Sequence, residues 1–427
     1  MIRDSGGRWG RAALTMKRAV FRSRPWCGAA ARFPSRFLMT ALMTAVLAAT
    51  SGLNGSADAV VRADSVQLPV LPSQLAEGDV CTRESKETAS AAPWEQRSLG
   101  LNRVWPVATG DGVTVAVVDT GVSSTAATLK GRVTALGAAG NDCVGHGTFV
   151  AGLIAAGFVP GVRFAGVAPR ARILGVRGTD ERGAATSSSV ADGIREAADA
   201  GADVIQVSPA LTKRSDDLKS AVAYAAERDA LIVAAAVPDP QQRAAVSTPP
   251  PRDYWPAAEP GVISVIDLDA KGGRPQEALL PRSADLSAPG DGVVGIGTEG
   301  EGHFIGSGAS LAAAYVAGTA ALIRSAHPGL SAEMTAERLM DTAYPADVPR
   351  LDTYAAVTTA RAVSEPAQVQ AGPDTGPVAL PSNENAARAM RRAFVLGSLV
   401  LGMVILVIWA AVIVPRGRAR AWRGASR

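Results

Sequence analysis

Continuous β-branched runs separated by alanine-rich stretches set the rhythm of the middle of this chain. Val113–Asp119 (VTVAVVD), Ala171–Arg177, Ala202–Ser208, Ala230–Ala236 and Gly261–Asp267 are apolar at consecutive positions instead of alternate ones. Strands of that kind suit a parallel sheet covered on both faces. Between them, Ser188–Ala200 and Leu218–Asp229 carry helical patterns. The alternation of strand and helix predicts an α/β fold: a doubly wound, mainly parallel sheet with helices on both faces. That body spans residues 101–363. Residues 60–100 are polar, contain Pro69, Pro72 and Pro93, and read as a loop-like N-terminal extension.

Two apolar segments lie outside the body. Phe37–Ala49 is a run of 13 residues, too short for an ordinary membrane helix, and follows a basic stretch. Ala57-Asp58-Ala59 then fits a small-residue cleavage pattern, so residues 1–59 are predicted to be a signal peptide region. Ala393–Val414 is 22 residues without a charge, which as a helix spans about 30 Å of hydrocarbon. Five arginines follow it, in a tail of residues 415–427, against three just before it. The positive-inside rule therefore puts the C-terminus in the cytoplasm. The expected protein is single-pass in the cell membrane, its body outside. Residues 364–392, with Pro366, Pro373, Pro377 and Pro381, read as a semi-extended tether.

Charge changes little in this picture. The formal net charge of +4 comes from the ends: nine Arg or Lys lie in residues 1–36 and five Arg in the last twelve residues. The middle is mildly acidic, which argues against a nucleic-acid partner. Of three cysteines, Cys27 precedes the cleavage site and leaves Cys81 and Cys143. An exported pair suits a disulfide closing a loop of about 60 residues, worth about 4 kcal/mol in the chain-entropy account; two unpaired thiols are the alternative. The carboxylates show no calcium-loop spacing and the three histidines are scattered, so no metal and no cofactor is expected.

Three segments carry residues suited to nucleophilic catalysis, which needs a hydroxyl, a base and an acid that orients the base. Asp119 ends the first buried run in VAVVDTGV. His146 lies in GHGTFVAG, and Ser310 in the Gly-rich turn of GSGASLAAAYVAG. Strand ends are where open α/β sheets place their sites, and a helix start after Ser310 presents N–H groups to an oxyanion. His303 reads as a loop or strand residue and His327 as a helix end.

With its flanking words, the ordered Asp, His, Ser set resembles the subtilase family of subtilisin-like serine proteases. The words GVAPRARILGVR, YWPAAEPGVISV and LSAPG extend the likeness over most of residues 93–360. Pro93–Val122, Asp142–Thr148, Cys81 and the two membrane segments are similar to mycosins, the membrane-anchored subtilases of actinobacterial type VII secretion. The resemblance implies that Asp119 orients His146, that His146 is the general base and that Ser310 is the nucleophile. It implies a protein or peptide substrate, a secretion membrane complex as partner, and an N-terminal extension that wraps the catalytic domain.

Four departures from the family pattern are expected to lie on the substrate side without touching the triad. The family's Ala-Ala-Gly-Asn reads Ala235-Ala236-Val237-Pro238, so the oxyanion-binding amide is missing. Neighbouring Asp239 is expected to be no substitute, because a carboxylate repels the developing charge. The substrate-strand word Ser-Leu-Gly reads Ser208-Pro209-Ala210, which removes a donor and adds a methyl group. Beside the nucleophile, Ala309 replaces Thr and Ala314 replaces Pro. The expectation is a slow serine endopeptidase, or alternatively a subtilase-fold scaffold that stabilises a secretion complex.

Overall fold

The structure, a computed structural model, describes residues 67–419 apart from 90, 160–161, 241–248, 277 and 361–383. The signal region, Cys27 and most of the tether lie outside the described residues. The chain divides after Thr358 into two compact units.

The first unit is built on a parallel sheet of β1 (Thr114–Asp119), β2 (Val133–Ala135), β3 (Arg172–Arg177), β4 (Val204–Val207), β5 (Leu231–Ala235), β6 (Val262–Leu268) and β7 (Leu286–Pro289). Their order is β2-β3-β1-β4-β5-β6-β7. Every predicted run became a strand, with ends shifted by up to two residues, and β6 runs one residue past the predicted Asp267 to Leu268. At the ends of β4, the Asp203 carboxylate accepts from the Thr114 N–H (2.7 Å), and Ser208 donates its N–H to Val118 O (3.3 Å) and its hydroxyl to Asp119. A hairpin of β8 (Val293–Ile296) and β9 (His303–Gly306) stands apart as a second sheet, which puts His303 in a strand.

The sheet is covered on both faces, as its unbroken apolar runs require. The helices before the hairpin are α1 (Trp94–Ser98), α2 (Leu101–Val104), α3 (His146–Ala155), α4 (Ser187–Asp199) and α5 (Asp216–Ala226). After it come α6 (Ala309–Ala326), α7 (Ala332–Asp341) and α8 (Thr353–Thr358). Val115 and Val117 of β1 face the cluster containing α3 and α6, while Ala116 and Val118 face that of α4 and α5. The two-residue period of the strand produces that division. Helix α6 is apolar and long enough to cross a membrane, yet 83% of it is buried, so it is the core helix of the fold. Its alanines and Gly318 let it lie close: a Cβ at Gly318 would meet Val167 Cβ at 2.7 Å. Helix α5 stops before the predicted Asp229, which takes a left-handed conformation (φ 58°) and accepts from the Ala332 N–H (2.6 Å).

The N-terminal extension runs over this body. Leu71 donates to Ile305 O and Ile305 to Pro69 O, both at 2.9 Å, beside β9. Leu75 bonds Arg182 O (3.0 Å), and Thr82 bonds Cys143 O (2.9 Å). Cys81 and Cys143 form a disulfide.

The second unit contains α9 (Glu384–Ala419). It begins ahead of the predicted Ala393, so residues 384–392 are helical where an extended tether was expected. Within it Gly397–Gly417 has a mean hydropathy of 2.7 and none of it is buried.

Candidate active site

Sheet order fixes where chemistry can collect. From β1 the chain fills one wing through β3 and β2, then crosses to β4 on the other side. The crevice beyond the carboxyl ends of β1 and β4 is thus the topological switch point. Asp119 closes β1, and the pairing of Val118 with Val207 brings Ser208 alongside it.

His146 reaches the crevice because α3 starts there. Gly145 supplies the left-handed turn (φ 89°) that swings the chain into the helix. The next glycine, Gly147, has no room for a side chain, since a Cβ would press on Gly121 O and lie 3.0 Å from Asp119 Cβ. Asp142 serves as the cap. Its carboxylate accepts from the N–H groups of Gly145 (2.8 Å) and Thr148 (2.9 Å) and from the hydroxyls of Thr120 (2.8 Å) and Thr148 (2.6 Å). Thr120 in turn accepts from the Gly147 N–H (3.0 Å), which pins the helix start to the end of β1. Burial of Asp142 pushes its carboxyl up, against the pull of these donors. With α3 so held, His146 Nδ1 lies 2.8 and 2.9 Å from the two Asp119 oxygens.

Ser310 is the second residue of α6 and fully buried. Its Oγ is 3.2 Å from His146 Nε2. Gln206 of β4 holds both sides of the crevice, its amide donating to Ser310 O (3.2 Å) and to Ser208 Oγ (3.1 Å). Ser208 donates its own hydroxyl hydrogen bond to Asp119 Oδ2. Asp119, His146 and Ser310 are therefore brought together in the order of acid, base and hydroxyl, with Ser208 and Gln206 bracing them.

Two expectations are corrected here. Ser208 was assigned to the substrate side, but its hydroxyl bonds the carboxylate that orients His146. The departures also touch the triad at a second place. Asp239, and not Pro238, faces the nucleophile. Its Oδ1 accepts from the Ser310 N–H (3.0 Å), and its Oδ2 accepts from Ser310 Oγ and lies 3.1 Å from His146 Nε2. Its side chain is only 9% exposed. Pro238 brings no donor, as expected. Ala210 packs with Ala235, Val237, Tyr254 and Ala309, and Pro209 lies half-buried beside it.

These contacts set the charges. Burial opposes the charge on Asp119, but His146 and the hydrogen bonds from Ser208 and Thr120 outweigh it and hold the carboxyl below the usual carboxylate range. Burial also favours a neutral imidazole, yet Asp119 and then Asp239 push the His146 pKa well above its ordinary value. An imidazolium between two carboxylates is satisfied on both nitrogens. A neutral imidazole at Nε2 can take the Ser310 proton, which is the elementary step of nucleophilic catalysis.

In the sequence Asp239 stands out only as the neighbour of the missing amide; its reach to Ser310 and His146 follows from the fold. Asp142 was visible only as part of DCVGHGT, and Gln206 only as a polar residue inside an apolar run.

Residues 110–375 match the profile of the Subtilase family. Mycosin-4 of Mycobacterium tuberculosis is 32% identical over 365 residues, which cover 74% of this chain and 80% of that protein. The solved structure of the serine protease MycP1, an essential component of the type VII (ESX-1) secretion system, matches with a TM-score of 0.58 at 28% identity, covering 69% of this chain and 96% of that one. A chain from the periplasmic assembly of the ESX-5 inner membrane complex matches with a TM-score of 0.58 at 27% identity, covering 73% and 95%.

Proposed function

Because the chain belongs to the subtilase family of serine peptidases, we propose that it is a mycosin-like serine endopeptidase, membrane-anchored and working within a type VII secretion complex. The observation that carries this reading is the line of Asp119, His146 and Ser310 at the switch point of the sheet. In it Ser310 Oγ bonds to the scissile carbonyl carbon and its proton passes to His146 Nε2. Asp119 keeps the Nδ1 proton in place and stabilises the imidazolium. The imidazolium then protonates the leaving amine, and water releases the acyl group by the same route in reverse.

Residues 1–59 are in this reading a signal region and 60–100 an extension held by the disulfide. Residues 101–363 form the peptidase body, 364–392 the connection, 393–414 the membrane helix and 415–427 a cytoplasmic tail. The apolarity of Gly397–Gly417 and the arginines after it support the anchor and its direction. Turnover is slow, since no amide side chain stands at the oxyanion position.

The test is proteolysis of a peptide library by full-length protein in mild detergent. New termini should accumulate slowly, and not at all with Ser310→Ala. Equal cleavage by both would refute the assignment of Ser310.

The Asp239 carboxylate beside Ser310 favours one second reading, a scaffold for the secretion complex. Secretion that survives Ser310→Ala in cells while no cleavage is detected in vitro supports it over the first.

A further inference from the structure

The Ser310 N–H is the donor that a subtilase site would offer to an oxyanion, and Asp239 Oδ1 already occupies it at 3.0 Å. The other Asp239 oxygen takes the hydroxyl proton of Ser310. A serine has one such proton, and while Asp239 holds it His146 cannot receive it. Space for the carboxylate is built in: a Cβ on Gly308 would run into Asp239 Oδ1 and Cγ. Three separate features thus seat Asp239 where substrate charge must develop.

Resting on the peptidase reading above, we propose that Asp239 is the lock of this site when ionised and its oxyanion donor when protonated. In the locked form the proton shared by the pair lies on His146 Nε2, and Asp239 accepts from both donors of Ser310. The base is spent and the oxyanion position holds a negative charge. Moving one proton from His146 Nε2 to Asp239 frees the base and converts the carboxylate into a hydroxyl donor. Protonated aspartate does this work in other enzymes that stabilise an oxyanion. Ser310 Oγ then bonds the carbonyl carbon, its proton goes to His146 Nε2, and the carbonyl π pair moves onto oxygen. Protonated Asp239 lets go of the Ser310 N–H, and that oxygen then accepts from this N–H and from the Asp239 hydroxyl.

The locked and productive forms hold the same number of protons, so the pH profile belongs to the pair and not to either residue. The groups facing Asp239 are His146 on α3, with Asp119 of β1 behind it, Ser310 on α6, and Asp267 at the end of β6. Asp267 is paired with Arg274. Adding a proton to the pair removes the base. Removing one leaves a bare carboxylate at the oxyanion position. The productive state is confined between those limits, which gives a bell.

The experiment compares labelling by a fluorophosphonate probe across pH for full-length wild type, Asp239→Asn and Ser310→Ala in detergent. In the reaction Ser310 Oγ bonds phosphorus, fluoride leaves and the proton passes to His146. Asp239→Asn supplies a permanent amide donor without the charge. One oxyanion donor is worth about 10²–10³ in rate, so labelling should rise at least about tenfold. Its profile should climb with pH to a plateau, while wild type falls again on the alkaline side. Nitrogen-15 NMR of the imidazoles should show the His146 pKa lowered in the variant, a readout independent of activity. Equal rates and equal profiles in wild type and Asp239→Asn, both lost in Ser310→Ala, overturn the lock and leave the peptidase reading standing. No labelling in any folded form overturns both.

Discussion

Asp119 and Glu95 illustrate how differently buried carboxylates behave in one domain. Asp119 is held charged by three partners, His146, Ser208 and the Thr120 N–H, whereas Glu95 on α1 is fully buried with one backbone donor, the Val294 N–H at 2.9 Å. Burial pushes its carboxyl up to about 7, against that bond's pull. Its folded pKa lies above the ordinary 4.5, so the stability it allows is complete below about pH 4.5 and is lost as pH rises through 7. The loss amounts to about 3 kcal/mol. Glu95→Gln keeps the acceptor for Val294 and cannot ionise. Urea midpoints should therefore be higher in the variant at pH 8, and the two proteins should converge near pH 4.5. A wild-type decline between those values that persists in the variant contradicts the argument. At this scale the sequence revealed Asp119, His146 and Ser310 because each sits in a distinctive word. It placed Asp239 only beside the missing amide and not against the triad, because a side chain's reach across a crevice leaves no mark on neighbouring letters.

Strands and helices were the most legible level. Runs such as Val113–Asp119 suit strands buried on both faces, and β1 is that strand, trimmed by one residue. The hairpin of β8 and β9 was not anticipated, since its short runs mix glycine and polar residues. The start of α3 depends on Asp142 and Cys143 just ahead of it and, through them and Gly147, on the distant Thr120 and Cys81. That disulfide spans 62 residues, for which loop-closure entropy gives about 4 kcal/mol. Cys81→Ser should lower the free energy of unfolding by up to about that amount, read from urea denaturation. It should also expose residues 67–89 to trypsin, which can cut after Arg83 and Lys86. Unchanged stability in the variant would remove the disulfide from the forces that hold the extension.

For the whole molecule, the order of strands brings function together. Asp119, His146 and Ser310 are separated by 27 and 164 residues in sequence and meet only because β1 and β4 flank the switch point while α3 and α6 cover one face. The central claim is that this assembly still activates a serine. Its most direct test is reaction of the full-length protein with a fluorophosphonate, followed by mass-spectrometric mapping of the adduct. The account predicts slow, stoichiometric modification at Ser310 that disappears in His146→Ala. A folded protein that forms no adduct at Ser310, or forms it equally well without His146, would contradict it.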